Sequence, residues 1–340
     1  MNQLEPKTKV GLFGYGYWGK TYHRVISEIE GVEISYICDA NDRIKDQIPL
    51  GIKFFNDPQK AIDDGGAEAI FIITPAGTHR DIATHALRNG LDTFVEKPAI
   101  LSSNDLNTVL IHKQRRSVFF PGHIYAYNDM VKSLAKSLKP SEEDIVSTTS
   151  SRMALGPVRN DVGCIWDLLP HDLTIFDILG FGRPVAVSCT GQYPLKLIHE
   201  DIAHANIHYL SGLDVSVELS WIFPKKIRQT SIVTEKSLFI FDETSYDMPL
   251  GVIRFKGNIP ESVNEIIYNR LPQAHYFEKI SYSAAEPLKN MIQSFLDAVK
   301  SENTRGDTDE IRRAKIIIPT IEAALASMAN DGEKVNIRYE

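Results

Sequence analysis

Asp167 and His171 stand four residues apart in the stretch W-D-L-L-P-H-D-L, Trp166 to Leu173. In a helix that spacing puts both side chains on one face. A carboxylate beside an imidazole can orient the ring while it exchanges a proton near neutral pH. Lys97, in Glu96-Lys97-Pro98, carries an ammonium that can hydrogen-bond a hydroxyl and lower its pKa, with Pro98 restricting the lysine backbone. Taken singly, each has a plainer account. A histidine on a helix face more often packs or is solvated, and on spacing alone a surface ion pair explains Glu96-Lys97 better. No metal centre is expected, because no second histidine or acid stands at ligand spacing from His171.

A second group of residues has the chemistry of an anion cradle. Gly14, Gly16 and Gly19 in K-V-G-L-F-G-Y-G-Y-W-G-K fit G-x-G-x-x-G. The first glycine would allow the tight turn, the second would let the backbone approach a pyrophosphate, and the third would let helix pack on strand. Tyr17 and Trp18 follow within the same turn. Asp39 comes twenty positions past Gly19, where an acid binds the adenosine ribose hydroxyls and repels a 2′-phosphate; this favours NAD over NADP, with Arg43 nearby to blunt the preference. Thr74-Pro75-Ala76-Gly77-Thr78-His79 offers a stiffened turn that could wall the nicotinamide, with Thr78 as a helix cap.

These residues need strands to end where they stand. Val10–Phe13 reads as a buried parallel strand, and Trp18, Tyr22, Val25, Ile26 and Ile29 give a helical apolar spacing after it. Strands are expected at Val32–Cys38, Ile52–Phe55, Ala69–Ile73, Thr93–Val95 and Val118–Phe120. Helices are expected at Pro58–Asp63, Asp81–Arg88 and Leu106–Lys113, the last opened by the capping cluster Ser102 to Asp105. Six strands separated by helices make a doubly wound parallel sheet, with its ligand crevice outside the carboxyl ends of the strands. From about Gly122 longer strands follow one another at Ile145–Met153, Val185–Tyr193, Ala205–Leu210, Val215–Phe223, Ile227–Thr234 and Ser237–Asp242, which implies a largely antiparallel sheet. The Asp167/His171 helix runs to Leu179. Pro170 is tolerable there only in the first turn, which puts Asp167 near the N-cap. Two helices, Leu288–Lys300 and Ile311–Met328, close the chain around a polar, charged loop. The expected class is α/β, with a dinucleotide-binding domain over 1–121 and a substrate-binding and oligomerisation domain over 122–340.

The 340 residues suit two domains. With 37 Lys plus Arg against 44 Asp plus Glu, a formal charge of -7 offers no broad attraction to nucleic acid or an anionic membrane. Cys38, Cys164 and Cys189 lie far apart in apolar runs and read as reduced, buried thiols. With a polar start and no apolar run of spanning length, a cytoplasmic protein is expected.

Together Gly14 to Gly19, Asp39, Thr78-His79, Glu96-Lys97-Pro98 and the Asp167/His171 pair resemble the Gfo/Idh/MocA oxidoreductases over nearly the whole chain. The resemblance implies an NAD-dependent dehydrogenase in which Lys97, Asp167 and His171 contact the reacting sugar hydroxyl. It also implies a homodimer or homotetramer formed through the large open sheet of the second domain. Within the family, Gly122-His123 with Tyr127-Asn128, Arg159 to Val162, and Trp166 to Leu173 are most similar to the branch acting on nucleotide sugars, such as oxidation of UDP-N-acetylglucosamine at C3. Asp129 in place of a usual proline, and Ala99-Ile100 after the E-K-P, depart from that branch near the pocket. His123, Tyr125, Asn128, Arg152 and Arg159 are the candidates for sugar or diphosphate contacts. Free sugars or inositols, or a nucleotide-binding regulator without turnover, are the alternatives.

Overall fold

The computed structural model describes residues 7–114, 116–138, 144–255, 274–301 and 308–339. They fold as two compact units. The first contains the described residues through Tyr127 together with Glu286–Ile318; the second contains those of Asn128–Ala285 and Pro319–Tyr339.

In the first unit six parallel strands lie in the order β3-β2-β1-β4-β5-β6: β1 Thr8–Phe13, β2 Val32–Cys38, β3 Lys53–Phe55, β4 Ala69–Ile72, β5 Asp92–Glu96 and β6 Phe119–Gly122. The central strands are buried on both faces, as the unbroken apolar run of β4 requires. Helix α1 (Tyr17–Ser27) crosses from β1 to β2. Helices α2 (Pro58–Asp64), α3 (His79–Arg88) and α4 (Ser103–His112) pack in a row, α2 on α3 and α3 on α4. Asp57 and Ser102 cap α2 and α4 through their side-chain oxygens.

The second unit begins with α5 (Asp129–Leu138), a helix that sequence reading passes over although Val131, Leu134, Ala135 and Leu138 keep helical spacing. Asn128 accepts the backbone N–H groups of Met130 and Val131 at 2.9 and 3.3 Å and so opens it. A mostly antiparallel sheet of nine described strands follows. Its order is β14 (Ala274–Lys279), β13 (Leu250–Phe255), β12 (Ser237–Asp242), β11 (Ile222–Thr234), β7 (Ile145–Leu155), β10 (Asp214–Ser220), β9 (Ile202–Tyr209), β8 (Pro184–Gln192) and β15 (Val335–Asn336). Only β10 and β7 run parallel. β9 and β12 bury alternate residues, so one face of the sheet is covered and the other less so. Helix α6 (Cys164–Leu179) lies against β9 and β10.

Two helices close the chain, α7 (Pro287–Lys300) and α8 (Asp309–Ala329), and most of the loop between them, 302–307, lies outside the described residues. The boundary expected at 121/122 is displaced to Tyr127/Asn128, and α7 returns to the first unit. The reason is aromatic packing. Phe295 is fully buried with ring centroids 5.1, 5.7 and 5.5 Å from those of Phe71, Phe94 and Phe120. Leu288, Met291, Ile292 and Leu296 join the same core as α1.

Candidate active site

The glycine turn is built from backbone that tolerates no side chain at two of its three positions. Gly14 has φ +85°, and a Cβ there would lie 2.8 Å from the Ile73 carbonyl oxygen. Its N–H donates to the Cys38 carbonyl at 2.8 Å, so the turn after β1 is pressed between the ends of β2 and β4. A Cβ on Gly19 would run into the Gly14 carbonyl oxygen. At Gly16, by contrast, a Cβ would meet nothing within 4 Å. Gly16 is the N-cap of α1, with no side-chain cap and no acid in the first turn. The positive end of α1 is therefore left without a capping side chain or a neutralising acid of its own, which suits a diphosphate.

Asp39 stands one residue past β2, half-buried, its Oδ2 accepting the Tyr15 N–H at 2.7 Å and its Oδ1 the Asn41 N–H at 2.9 Å. The carboxylate is thus fixed beside the glycine turn. Arg43 is exposed on the 3-10 turn that follows, and Tyr17 and Trp18 are exposed at the start of α1, edge to face with ring centroids 5.9 Å apart.

Past β4, Thr78 occupies the N-cap position of α3 but makes no cap. Its hydroxyl donates instead toward the Pro75 carbonyl at 2.8 Å and lies 2.7 Å from the Thr74 hydroxyl. The expected cap is corrected on this point: the hydroxyl closes the Thr74–Thr78 turn on itself. His79 is buried, with Nε2 2.7 Å from the Thr74 carbonyl and Nδ1 3.0 Å from that of Pro98. The ring ties the loop past β4 to the loop past β5. Glu96 turns its carboxylate onto the Lys97 N–H, and Lys97 is half-buried directly after β5. His123 and Tyr125, past β6, are buried.

In the second unit, the loop before α6 places Arg159 in a fork on Asp161, Nε to Oδ1 at 2.9 Å and Nη2 to Oδ2 at 2.7 Å, with Nη1 3.5 Å from Asp167 Oδ1. These carboxylates hold the guanidinium pKa above its ordinary value, the Asp161 bond contributing most. Asp167 and His171 are half-buried and one turn apart on α6. The helix starts earlier than the sequence suggests, at Cys164 with Gly163 as N-cap, so Pro170 is internal and Asp167 lies in the second half of the first turn. Pro170 withholds only the N–H that would bond the Trp166 carbonyl, and the helix is held at its beginning by other means. Glu200, from the loop before β9, accepts the Cys164 N–H with its carbonyl at 3.1 Å and the Ile165 N–H with Oε1 at 2.8 Å. A Cβ at residue 163 would collide with the Glu200 carboxylate, which is why glycine stands there.

Arg152, expected from the sequence to contact a diphosphate, is instead 4 % exposed with its guanidinium forked on Asp172. Asn128 is spent on α5, where its first residue, Asp129, fills a helix position that suits proline or an acid equally. The three cysteines are free and buried, burial pushing the Cys38 and Cys189 thiols up to about 12. Among the described residues no cluster of His, Cys, Asp or Glu could hold a metal ion, and no helix is long and apolar enough to cross a membrane.

Residues 8–123 match the model of an oxidoreductase family with an NAD-binding Rossmann fold. The chain is 33% identical to the scyllo-inositol 2-dehydrogenase (NAD(+)) of Bacillus subtilis over 256 residues, 70% of this chain and 75% of that one. It is 24% identical to the UDP-N-acetylglucosamine 3-dehydrogenase of Acidithiobacillus ferrooxidans over 188 residues, 54% of this chain and 58% of that one. The fold is shared with GenD2 from gentamicin A biosynthesis, solved in complex with NAD: TM-score 0.80 at 20% identity, covering 99% of this chain and 98% of that one.

The glycines separate fold from ligand. Gly16→Ala should melt at the wild-type temperature and bind NAD at least about tenfold more weakly, because its methyl would enter only the ligand's space. Gly14→Ala should lower the melting temperature as well, through its positive φ. Calorimetric titration and thermal melts read both; unchanged NAD binding by Gly16→Ala would contradict the cradle.

A pH dependence follows from Glu200. Burial is the largest cause and raises its carboxyl above the ordinary glutamate value of 4.5, against the opposing pull of the helix amide. A raised folded-state pKa contributes stability that is present below the unfolded value and lost as pH rises through the folded one. Glu200→Gln keeps an oxygen for Ile165 N–H and removes the titration, so its melting temperature should fall less than that of the wild type from pH 4.5 upward. Parallel curves for the two would contradict this.

Proposed function

The chain belongs to the Gfo/Idh/MocA family of oxidoreductases, whose first domain is an NAD-binding Rossmann fold, and from that membership we propose an NAD-dependent dehydrogenase acting on a secondary alcohol of a nucleotide sugar. The observation that supports the catalytic reading is that Lys97, Asp167 and His171 are all present, each where a strand end or helix turn holds it half-exposed. A nucleotide-binding regulator would have no use for all three.

Bound NAD supplies the hydride acceptor, C4 of the nicotinamide. His171 takes the proton of the substrate hydroxyl as the carbinol C–H bond breaks, leaving a ketone and a protonated imidazole that releases its proton to solvent. Asp167, four residues before it, orients the ring and favours its charged form. Lys97 hydrogen-bonds the same hydroxyl and lowers its pKa. Asp39 supports NAD over NADP, since its fixed carboxylate would repel a 2′-phosphate. NADP bound more tightly than NAD in calorimetry would overturn that assignment.

The substrate rests on the second unit. The loop that leads into α6 carries Arg159, forked on Asp161 and 27% exposed at its side chain, which supports a diphosphate-facing role alongside its loop-holding one. The motif Trp166–Leu173 and the similarity to a UDP-N-acetylglucosamine 3-dehydrogenase support the same reading. Similarity to a scyllo-inositol 2-dehydrogenase over a larger share of the chain favours a free cyclitol as the second reading. A dimer or tetramer formed through the nine-stranded sheet, in a reducing cytoplasm, completes the proposal.

His171→Ala should lower kcat by about two to four orders of magnitude with NAD affinity unchanged, and Lys97→Ala should behave similarly. A His171→Ala protein turning over near the wild-type rate would remove histidine from the mechanism.

Substrate choice is read by following nicotinamide reduction with a panel of UDP- and TDP-sugars, scyllo- and myo-inositol and glucose. The expected result is the highest kcat/KM for a nucleotide sugar, with Arg159→Ala raising its KM much more than it lowers kcat. An inositol turned over as efficiently as any nucleotide sugar, with Arg159→Ala indifferent, would sink the nucleotide-sugar reading and leave the dehydrogenase standing.

A further inference from the structure

Helix α6 is buried on almost every side. Eleven of its sixteen residues are inaccessible, and at about 100° per residue they stand all around the axis; the half-exposed strip is the one that carries Asp167 and His171. An apolar stripe normally fixes the rotation of a helix on its sheet. Here apolar residues stand on every side except that narrow strip, so hydrophobicity alone holds the setting only loosely.

A fully buried polar contact fixes it more tightly. Asp172, fully buried and next to His171, receives Arg152 as a two-pronged fork, Nε to Oδ2 at 3.0 Å and Nη2 to Oδ1 at 3.1 Å, and the Ser150 hydroxyl donates to Oδ1 at 2.8 Å. Ser150 and Arg152 are alternate residues of β7, so they share a face of the strand. That strand lies between β10 and β11 and is bonded to both, which makes it a rigid anchor. Glu243 Oε2 lies 4.0 Å from Arg152 Nη1 and 3.8 Å from Arg228 Nη1, giving the buried guanidinium a second carboxylate. The fork is planar and directional, so it is satisfied at one rotation of α6.

We propose that Arg152 and Asp172 are positioning residues: their buried fork sets the rotation of α6 on the sheet and thereby the direction in which Asp167 and His171 face. This rests on the reading of His171 and Asp167 as the proton-transferring pair. Stability is a poor reason for such a pair, because well-packed apolar replacements of buried ion pairs are often neutral or stabilising. Orientation and stability can therefore be separated by mutation.

The test is the double variant Arg152→Met/Asp172→Leu, in which Ser150 keeps its Thr230 partner and Glu243 keeps Arg228. It should melt no lower than a few degrees below the wild type and bind NAD with the same affinity. Its kcat should fall between about tenfold and a hundredfold, the loss that accompanies a catalytic group displaced on the ångström scale. The imidazole NMR resonance of His171, assigned by its absence in His171→Ala, should shift. A folded double variant with kcat within twofold of wild type and an unmoved His171 resonance would overturn the proposal. Arg152→Lys, which keeps the charge and loses the fork, decides the matter if the double variant does not fold: a severalfold loss of kcat with a shifted resonance supports the role, and wild-type values of both refute it. If His171→Ala itself keeps full activity, the catalytic reading fails while the resonance shift still judges the positioning.

Discussion

A parallel sheet covered on its faces can present chemistry only where its strands end. The six strands of the first unit all run one way, so their carboxyl ends bring Gly14, Asp39, Thr74, Lys97 and His123 to one edge although more than a hundred residues separate the first from the last. The close approach of the first turn to the neighbouring strand ends depends on glycine. Gly14 can press on Ile73 and donate to Cys38 only because it lacks a side chain and tolerates a positive φ. Tyr15 then brings its N–H to Asp39, and the acid is fixed beside the turn by the same backbone geometry.

The second unit meets a different problem. Its sheet is a platform and the chemistry rides on a single helix lying against it. An apolar helix packs readily but without a unique setting, and α6 has polar fastenings at both its beginning and its middle. Glu200 accepts the first two amides, Asp172 accepts Arg152 and Ser150, and Gly163 leaves the room that the Glu200 carboxylate needs. Buried carboxylates are costly unless fully bonded, and both of these are bonded to donors held by neighbouring strands or helix amides. Arg159, Asp161 and Asp167 add a more exposed network on the side where substrate is proposed to bind.

Much of the first unit was legible because its signals are local. Apolar runs, glycine spacing and the acid past β2 follow one another within 40 residues, and each has a single physical reading. Most of the errors share one cause, which is partners distant in sequence. Nothing near Phe295 says that Phe71, Phe94 and Phe120 will receive it, so α7 goes unassigned to the first unit. Pro170 suggests a helix start because the bond from Ile165 to Glu200, which secures the helix further back, cannot be seen in the local stretch. Arg152 reads as a ligand for phosphate until its strand is laid beside Asp172. Thr78 reads as a cap because its position is right, while its hydroxyl is already taken by the turn before it. The missed helix α5 had a usable signal in Asn128 and the apolar spacing after it.

The central claim is that this protein moves a hydride from a sugar carbinol carbon to nicotinamide. Its most direct test is the fate of that hydrogen: a UDP-sugar deuterated at the reacting carbon is incubated with the protein and NAD, and the reduced nicotinamide is isolated and examined by mass spectrometry and NMR. The account predicts one deuterium at C4, on one face of the ring, with a ketone at the former alcohol carbon. Reduced nicotinamide without deuterium, or no reduction with any sugar or inositol carrying the label while NAD is bound, would contradict it.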